Sequence, residues 1–180
     1  MRRDAPTVAE ARGLLVLEGA PVALVAHCEA VHHVAVAIAK LIRSRGQALD
    51  MALVEAGAVL HDIGRSRTQG LDHASVGAQI LRDLGYSEAL CLVVERHTGG
   101  GIDASEASQL GLPIRDYTPK TMEERIVCQA DNLVDGNRRQ KVQEELDALR
   151  ERGLAHVALK IDALHRDLSR LAGRDLDEIR

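Results

Sequence analysis

The chain has 180 residues, enough for one domain with a real core, and a formal net charge of -4 with acidic and basic residues interspersed. It lacks Phe and Trp and has only Tyr86 and Tyr117, so few rings could stack single-stranded bases, and no long basic run offers a track for a phosphate backbone. These features argue against polymeric nucleic acid as a partner. Cys28, Cys91 and Cys128 are odd in number and widely spaced, which argues against a disulfide framework and points to the cytoplasm, and Cys28 and Cys128 fit small apolar filler. Asp4, Glu10 and Arg12 interrupt the N-terminal region, and apolar runs such as residues 22–26 are far short of a bilayer span, so neither a signal peptide nor a membrane is expected.

Helical periodicity dominates, and no convincing strand pair stands out. Helices are predicted at about 7–18, 21–45, 49–62, 72–84, 87–97 and 121–135. A longer helical stretch follows at about 138–172, bent near Gly153. Thr121 and Glu124 have the spacing of a capping box, and Gly64 and Gly99 suit left-handed helix caps. Residues 98–120 lack periodicity and contain Gly99, Gly100 and Gly101 with Pro113 and Pro119, which fits equally a lid or a plain surface connection. The glycine run lacks the Lys-Ser/Thr of a phosphate-binding loop. Val142, Leu146, Leu149, Leu154, Val157, Ile161, Leu164, Leu168 and Leu171 form an amphipathic pattern that packs on the domain, with a partner helix as second choice. The expected architecture is all-α, a single-domain bundle with an N-terminal helix in about 1–20, a core in about 21–136 and a C-terminal helical segment in about 137–180.

The informative step is to ask which face of each helix a polar residue occupies. His27 is followed at i+4, i+7 and i+11 by Val31, Val34 and Ile38, all within about 40° of it, so it sits mid-stripe. His32 and His33 fall more than about 100° away, toward the flanks. His73 leads a stripe of Val76, Gly77, Ile80 and Leu84, and His97 ends one made by Leu90, Val93 and Val94. Asp131 lies between Val127 and Val134, while His61 follows Val54 and Gly57 with Asp62 next in line. A lone His on an apolar face is more often a hydrogen-bonded core residue than a ligand. Four helices that each turn a His or Asp inward, plus a His-Asp pair, call for a common partner. Burying an unpaired carboxylate costs several kcal/mol, and no Lys or Arg lies on these stripes. A metal cation compensates directly, with donors that suit Zn, Mn or Fe.

The order His27, His61-Asp62, Asp131, with the text His61-Asp62-Ile63-Gly64, resembles the HD-domain metal-dependent phosphohydrolase superfamily and its HDIG subgroup. The flanking Leu60, His73-Ala74, Gly77-Ala78 and Ala130-Asp131-Asn132-Leu133 agree, and the likeness covers roughly residues 22–135. The resemblance implies an HD-type helical bundle. It implies that His27, His61, Asp62 and Asp131 hold a first divalent ion. It also implies that His73 and His97, with Asp62 as bridge, hold a second, although such histidines can instead contact a phosphate. The metal is one or two ions of Fe, Mn, Co, Ni or Zn. Arg65 follows the motif and fits either a phosphate contact or a solvated charge; Arg67 and Lys120 are weaker versions of the same idea, and Thr98 either bonds substrate or caps its helix.

The function implied is hydrolysis of a phosphoester or phosphoanhydride in a nucleotide-like small molecule, by water that the metal brings toward neutral pKa. Asp62 and Arg65 are the candidate catalytic residues, and Arg65, Thr98 and Lys120 the candidate substrate contacts. Two alternatives stand beside it: a di-iron oxygenase on the same ligand set, and a non-catalytic regulatory module stabilised by metal. Self-association is left open.

Overall fold

The computed structural model describes residues 4–179. Nine α-helices run through the described residues: α1 Val8–Leu17, α2 Val22–Ser44, α3 Met51–Leu60, α4 His73–Asp83, α5 Glu88–Glu95, α6 Ala104–Gln109, α7 Met122–Asn132, α8 Val142–Glu151 and α9 Ala155–Ala172. The all-α expectation holds, with single turns of 3-10 helix at Ile63–Ser66 and Leu176–Glu178. Side chains at the starts accept from the free backbone N–H groups: Thr7 from Glu10, Asp50 from Leu53, Ser87 from Leu90 and Thr121 from Glu124.

α3 stands between two apolar clusters, which is why nearly every position along it is apolar. Its Val54 and Ala58 join Val31, Ile38 and Ile42 of α2, Ile126 and Val127 of α7, Leu146 of α8 and Ile161 and Leu168 of α9. Its Val59 and Leu60 join Leu15 of α1, Ile63, Leu81 of α4, and Leu90 and Val94 of α5. The C-terminal helices thus close one side of the core. α2 spans 23 residues and contains an 18-residue window of mean hydropathy 1.6, long and apolar enough by those measures to cross a bilayer, which its short apolar runs did not suggest. In the fold its Val31, Ala35, Ile38, Ala39 and Ile42 are fully buried against other helices.

Several local expectations change. The stretch 98–120 contains α6, started by Asp103, which accepts from Ser105 and Glu106 while Glu106 returns a bond to its backbone. Residues 134–139 form a hairpin instead of continuing a helix, with Val134 opposite Arg139 and Asp135 opposite Arg138. The expected bend at Gly153 is a complete break between α8 and α9, with φ +76° there. The capping box at Thr121 is half-made, because the Glu124 carboxylate is held by the Lys120 backbone N–H and by Arg96 at 3.0 Å.

Gly99 has the expected positive φ, +59°, but Gly64 does not belong to that class. Gly64 is required by proximity: a Cβ there would lie 2.0 Å from the His73 carbonyl oxygen and 2.6 Å from the Gly77 nitrogen. The missing side chain lets the turn after the His-Asp pair press against the first turn of α4. That contact brings Asp62 and His73 into one site.

Candidate metal centre

Five elements deliver six side chains to one place. His27 comes from α2, His61 and Asp62 from the end of α3, His73 from the first position of α4, His97 from just after α5, and Asp131 from α7. Donor atoms of His27, His61 and Asp131 lie within 4.8 Å of one another, and so do those of His61, Asp62 and His97. His73 joins the second group, its Nε2 3.2 Å from His97 Nε2 and 3.2 Å from Asp62 Oδ1.

Backbone carbonyls orient every imidazole. The Nδ1 atoms of His27, His61, His73 and His97 bond to the carbonyls of Gly136 (2.6 Å), Ala58 (2.8 Å), Gly70 (2.9 Å) and Val94 (2.7 Å). A carbonyl only accepts, so each Nδ1 carries the proton and each neutral ring turns the lone pair of Nε2 inward. Those lone pairs face one another: His27 and His61 Nε2 are 3.2 Å apart, with Asp131 Oδ1 at 3.1 and 3.4 Å. Acceptors so arranged need a proton or a cation between them. Asp62 Oδ1, buried and without a hydrogen bond, repeats the signal. The donor set therefore fits a divalent ion of the borderline class.

The charges of the metal-free centre follow. Burial disfavours a charge on His27 and His61, but Asp131 and Asp62 outweigh it and raise both above the usual histidine value. Burial likewise opposes ionisation of Asp131, and His61 and His27 overcome it to hold the carboxyl well below the usual range. Asp62 is lowered in the same way by His61 and His97 against its own burial. His73 goes the other way: burial first, then the charge on His97, push it down to about 4.

Arg65 joins the cluster, which the helix stripes alone did not show. Its Nε donates to Asp62 Oδ2 at 2.7 Å, and its Nη2 lies 3.3 Å from His73 Nε2. The other candidates stand apart. Thr98 places a buried Oγ1 without a hydrogen-bond partner next to His97. Lys120 pairs with Asp116 at 2.9 Å on an exposed stretch, and Arg67 pairs with Glu18 at 2.6 Å. A further group, His165 with Asp175 and Asp177, is held by internal bonds: His165 to Asp175 at 3.0 Å and Asp177 to the Val142 backbone at 3.0 Å. Sequence reasoning missed Gly136, whose carbonyl sets the tautomer of His27; the Asp135-Gly136 pair is a hairpin signal, but where its carbonyl points is not.

A cavity of about 470 Å³ opens onto the cluster, lined by His27, Asp62, Arg65 and Asp131 with Pro21 and Leu24 at its edge. A wider groove of about 1030 Å³, beside His33, Lys40 and Arg174, holds none of these donors.

The HD domain family matches residues 24–134. The chain is 47% identical over 92% of its length to a tRNA (cytidine(56)-2'-O)-methyltransferase of Thermoplasma volcanium, and 44% identical over 92% to one of Picrophilus torridus. It spans about half of those relatives, 48% and 47% of their lengths. It is also 47% identical to an uncharacterised protein of Methanocaldococcus jannaschii, over 76% of the chain and 82% of that protein. No solved structure matches it.

The methyltransferase names overturn two expectations: the phosphohydrolase acting on a small nucleotide-like molecule, with the oxygenase beside it, and the exclusion of polymeric nucleic acid. The physical reasons are plain. Inward His and Asp residues fit a cation but do not specify the reaction done there. Scarce aromatics count against stacking of unpaired bases, whereas folded RNA is held by shape, phosphates and ribose hydroxyls. What the ordered ligand set and the family match establish together is membership: the chain belongs to the HD domain family.

Proposed function

We propose that the chain serves ribose 2'-O-methylation of tRNA as the metal-holding HD part of that machinery. The observation that carries this reading is the 47% and 44% identity, across 92% of the chain, to two proteins named for that reaction. Because the chain spans about half of each, the proposal gives this part the holding of tRNA and leaves methyl transfer to the machinery as a whole.

His27, His61, Asp62 and Asp131 would hold one ion of Fe, Mn, Co, Ni or Zn. Such an ion supplies a Lewis-acidic seat for phosphate and hydroxyl oxygens. Around it the chain's own groups suit an RNA backbone. The cavity of about 470 Å³ has the volume for a phosphate and its ribose, and Arg65 at its wall, with a one-third-exposed side chain, offers charge-assisted hydrogen bonds to a phosphate oxygen. On this reading the protein works in the cytoplasm, where thiols such as Cys28 and Cys128 stay reduced.

Two measurements test the reading. In cells deprived of the chain, mass spectrometry of tRNA should show 2'-O-methylcytidine at position 56 reduced; unchanged methylation sinks the assignment. Purified chain loaded with Mn(II) should retard a tRNA transcript in a native gel, and chelation should weaken this by about tenfold or more. Failure of the loaded protein to bind tRNA removes its proposed part in the reaction.

A further inference from the structure

We infer that the Arg65 guanidinium takes the place of a second metal ion, so that the chain holds one ion where its ligand set has donors for two. The inference rests on the metal-holding reading above and extends it to the half of the centre built by His73 and His97.

The two halves do not offer their imidazole lone pairs equally. Among the described residues, the hydrogen bonds and ion pairs of His27, His61 and Asp131 run to one another, to Asp62 and to backbone carbonyls, so this half holds no Lys or Arg. Arg65 stands between the halves: the Asp62 Oδ2 it bonds is 3.9 and 3.8 Å from His27 and His61 Nε2, while Oδ1, 3.2 and 3.4 Å from His73 and His97 Nε2, has no hydrogen bond. Arg65 donates through Nε to Asp62 Oδ2 at 2.7 Å and through Nη2 to His73 Nε2 at 3.3 Å. The His73 Nδ1 proton goes to the Gly70 carbonyl at 2.9 Å, so Nε2 has a single lone pair, and Arg65 takes it. A lone pair that accepts from a guanidinium is not free to bind a metal.

A guanidinium carries its charge throughout the working pH range and cannot turn into a ligand. To admit a dication at Asp62 Oδ1, His73 and His97, Arg65 would have to leave His73, and the dication would sit beside a fixed positive charge. Its geometry favours staying. Arg65 and Asp62 are three residues apart across the 3-10 turn of Ile63–Ser66, and the close approach at Gly64 fixes that turn against His73. A phosphate arriving at the mouth is the kind of group for which a guanidinium exchanges a carboxylate, so the same side chain can serve in both states.

The test is metal counting, with Mn(II) as the probe. Wild type, Arg65→Gln and the double variant Arg65→Gln/His73→Ala are dialysed against Mn(II) and analysed by plasma mass spectrometry, with circular dichroism as a check on folding. The expected counts are about one ion in wild type, two in Arg65→Gln and one again in the double variant. The electron paramagnetic spectrum of Arg65→Gln should show a spin-coupled Mn pair that wild type lacks. Two ions in wild type, or one in a folded Arg65→Gln, overturns the role given to Arg65 and leaves the single-ion reading intact. No ion in wild type removes the metal reading itself, and the inference with it. Should Arg65→Gln fail to fold, calorimetric titration of wild type decides: a second equivalent bound within tenfold of the first refutes the inference, and a single equivalent supports it.

Discussion

The two halves of the centre are built from similar side chains and behave differently. On one side His27 and His61 meet the Asp131 carboxylate at 3.1 and 3.4 Å, and the anion raises both imidazoles toward the charged form. On the other, His73 and His97 face each other at 3.2 Å with Arg65 alongside, and His73 is kept neutral. A ligand list read from sequence makes these halves look equivalent. What separates them is what faces the imidazoles: the Asp131 carboxylate in one, and in the other burial and a second imidazole, with Asp62 Oδ1 at 3.2 Å and Arg65 Nη2 at 3.3 Å of opposite sign.

The sharpest way to break the contrast is to remove the anion of the first half. Asp131→Ala should weaken Mn(II) retention by at least about 100-fold in equilibrium dialysis, since a ligand and the partner of two imidazoles vanish together. His73→Ala should leave the tightly held ion in place. Equal losses in the two variants would show the halves to be one site.

Acidity separates them next. In chelated protein, His27 and His61 have raised folded pKa values, so the stability they contribute is fully present below the unfolded value of about 6.5 and is lost as pH rises through the folded ones. His73 has the opposite sign. Its folded value of about 4 lies below the unfolded one, so the unfolded chain binds the extra proton in between, and stability falls as pH drops from about 6.5 to 4. The loss reaches up to about 3 kcal/mol and should shrink in His73→Gln, as read by urea unfolding across that range. An unchanged acid limb in the variant would place the sensitivity elsewhere.

Two smaller effects sharpen the picture. Gly64→Ala puts a methyl group against the His73 carbonyl, and should cost about 2 kcal/mol in thermal unfolding while leaving one bound ion, because His27, His61 and Asp131 lie outside the strained contact. Arg67→Ala removes a charge two residues from Arg65, but its partner is Glu18 on an exposed surface. Its cost should stay below about 1 kcal/mol, with metal count unchanged. A metal effect from Arg67 would mean that bulk charge, and not the Arg65 contacts, governs the second half.

The helix stripes made the convergence of His27, His61, Asp62, His73, His97 and Asp131 legible, because a polar residue in the middle of an apolar face has to point into the core. Three features escaped for identifiable reasons. α6 has six residues and rests on the cap at Asp103, with too few turns to show a stripe. Arg65 lies on a 3-10 turn, where helical angles do not apply, so a stripe argument cannot place its guanidinium on Asp62. Lys120 looked like a phosphate contact by charge, but its backbone N–H, bound to Glu124 at 2.6 Å, ties it to the start of α7. The reaction was the least legible of all, since a cation seat is common to many chemistries.

The hairpin at residues 134–139 has a reach beyond its size. One strand end offers the Gly136 carbonyl to His27 at 2.6 Å, and the other sends the Arg139 guanidinium to the Leu176 carbonyl at 2.6 Å. Two hydrogen bonds and a four-residue bend thus join the 3-10 turn at Leu176–Glu178 to the basicity of an imidazole at the centre. Anything that pries that turn loose also slackens the hold on His27, so the seating of the one and the orientation of the other are coupled.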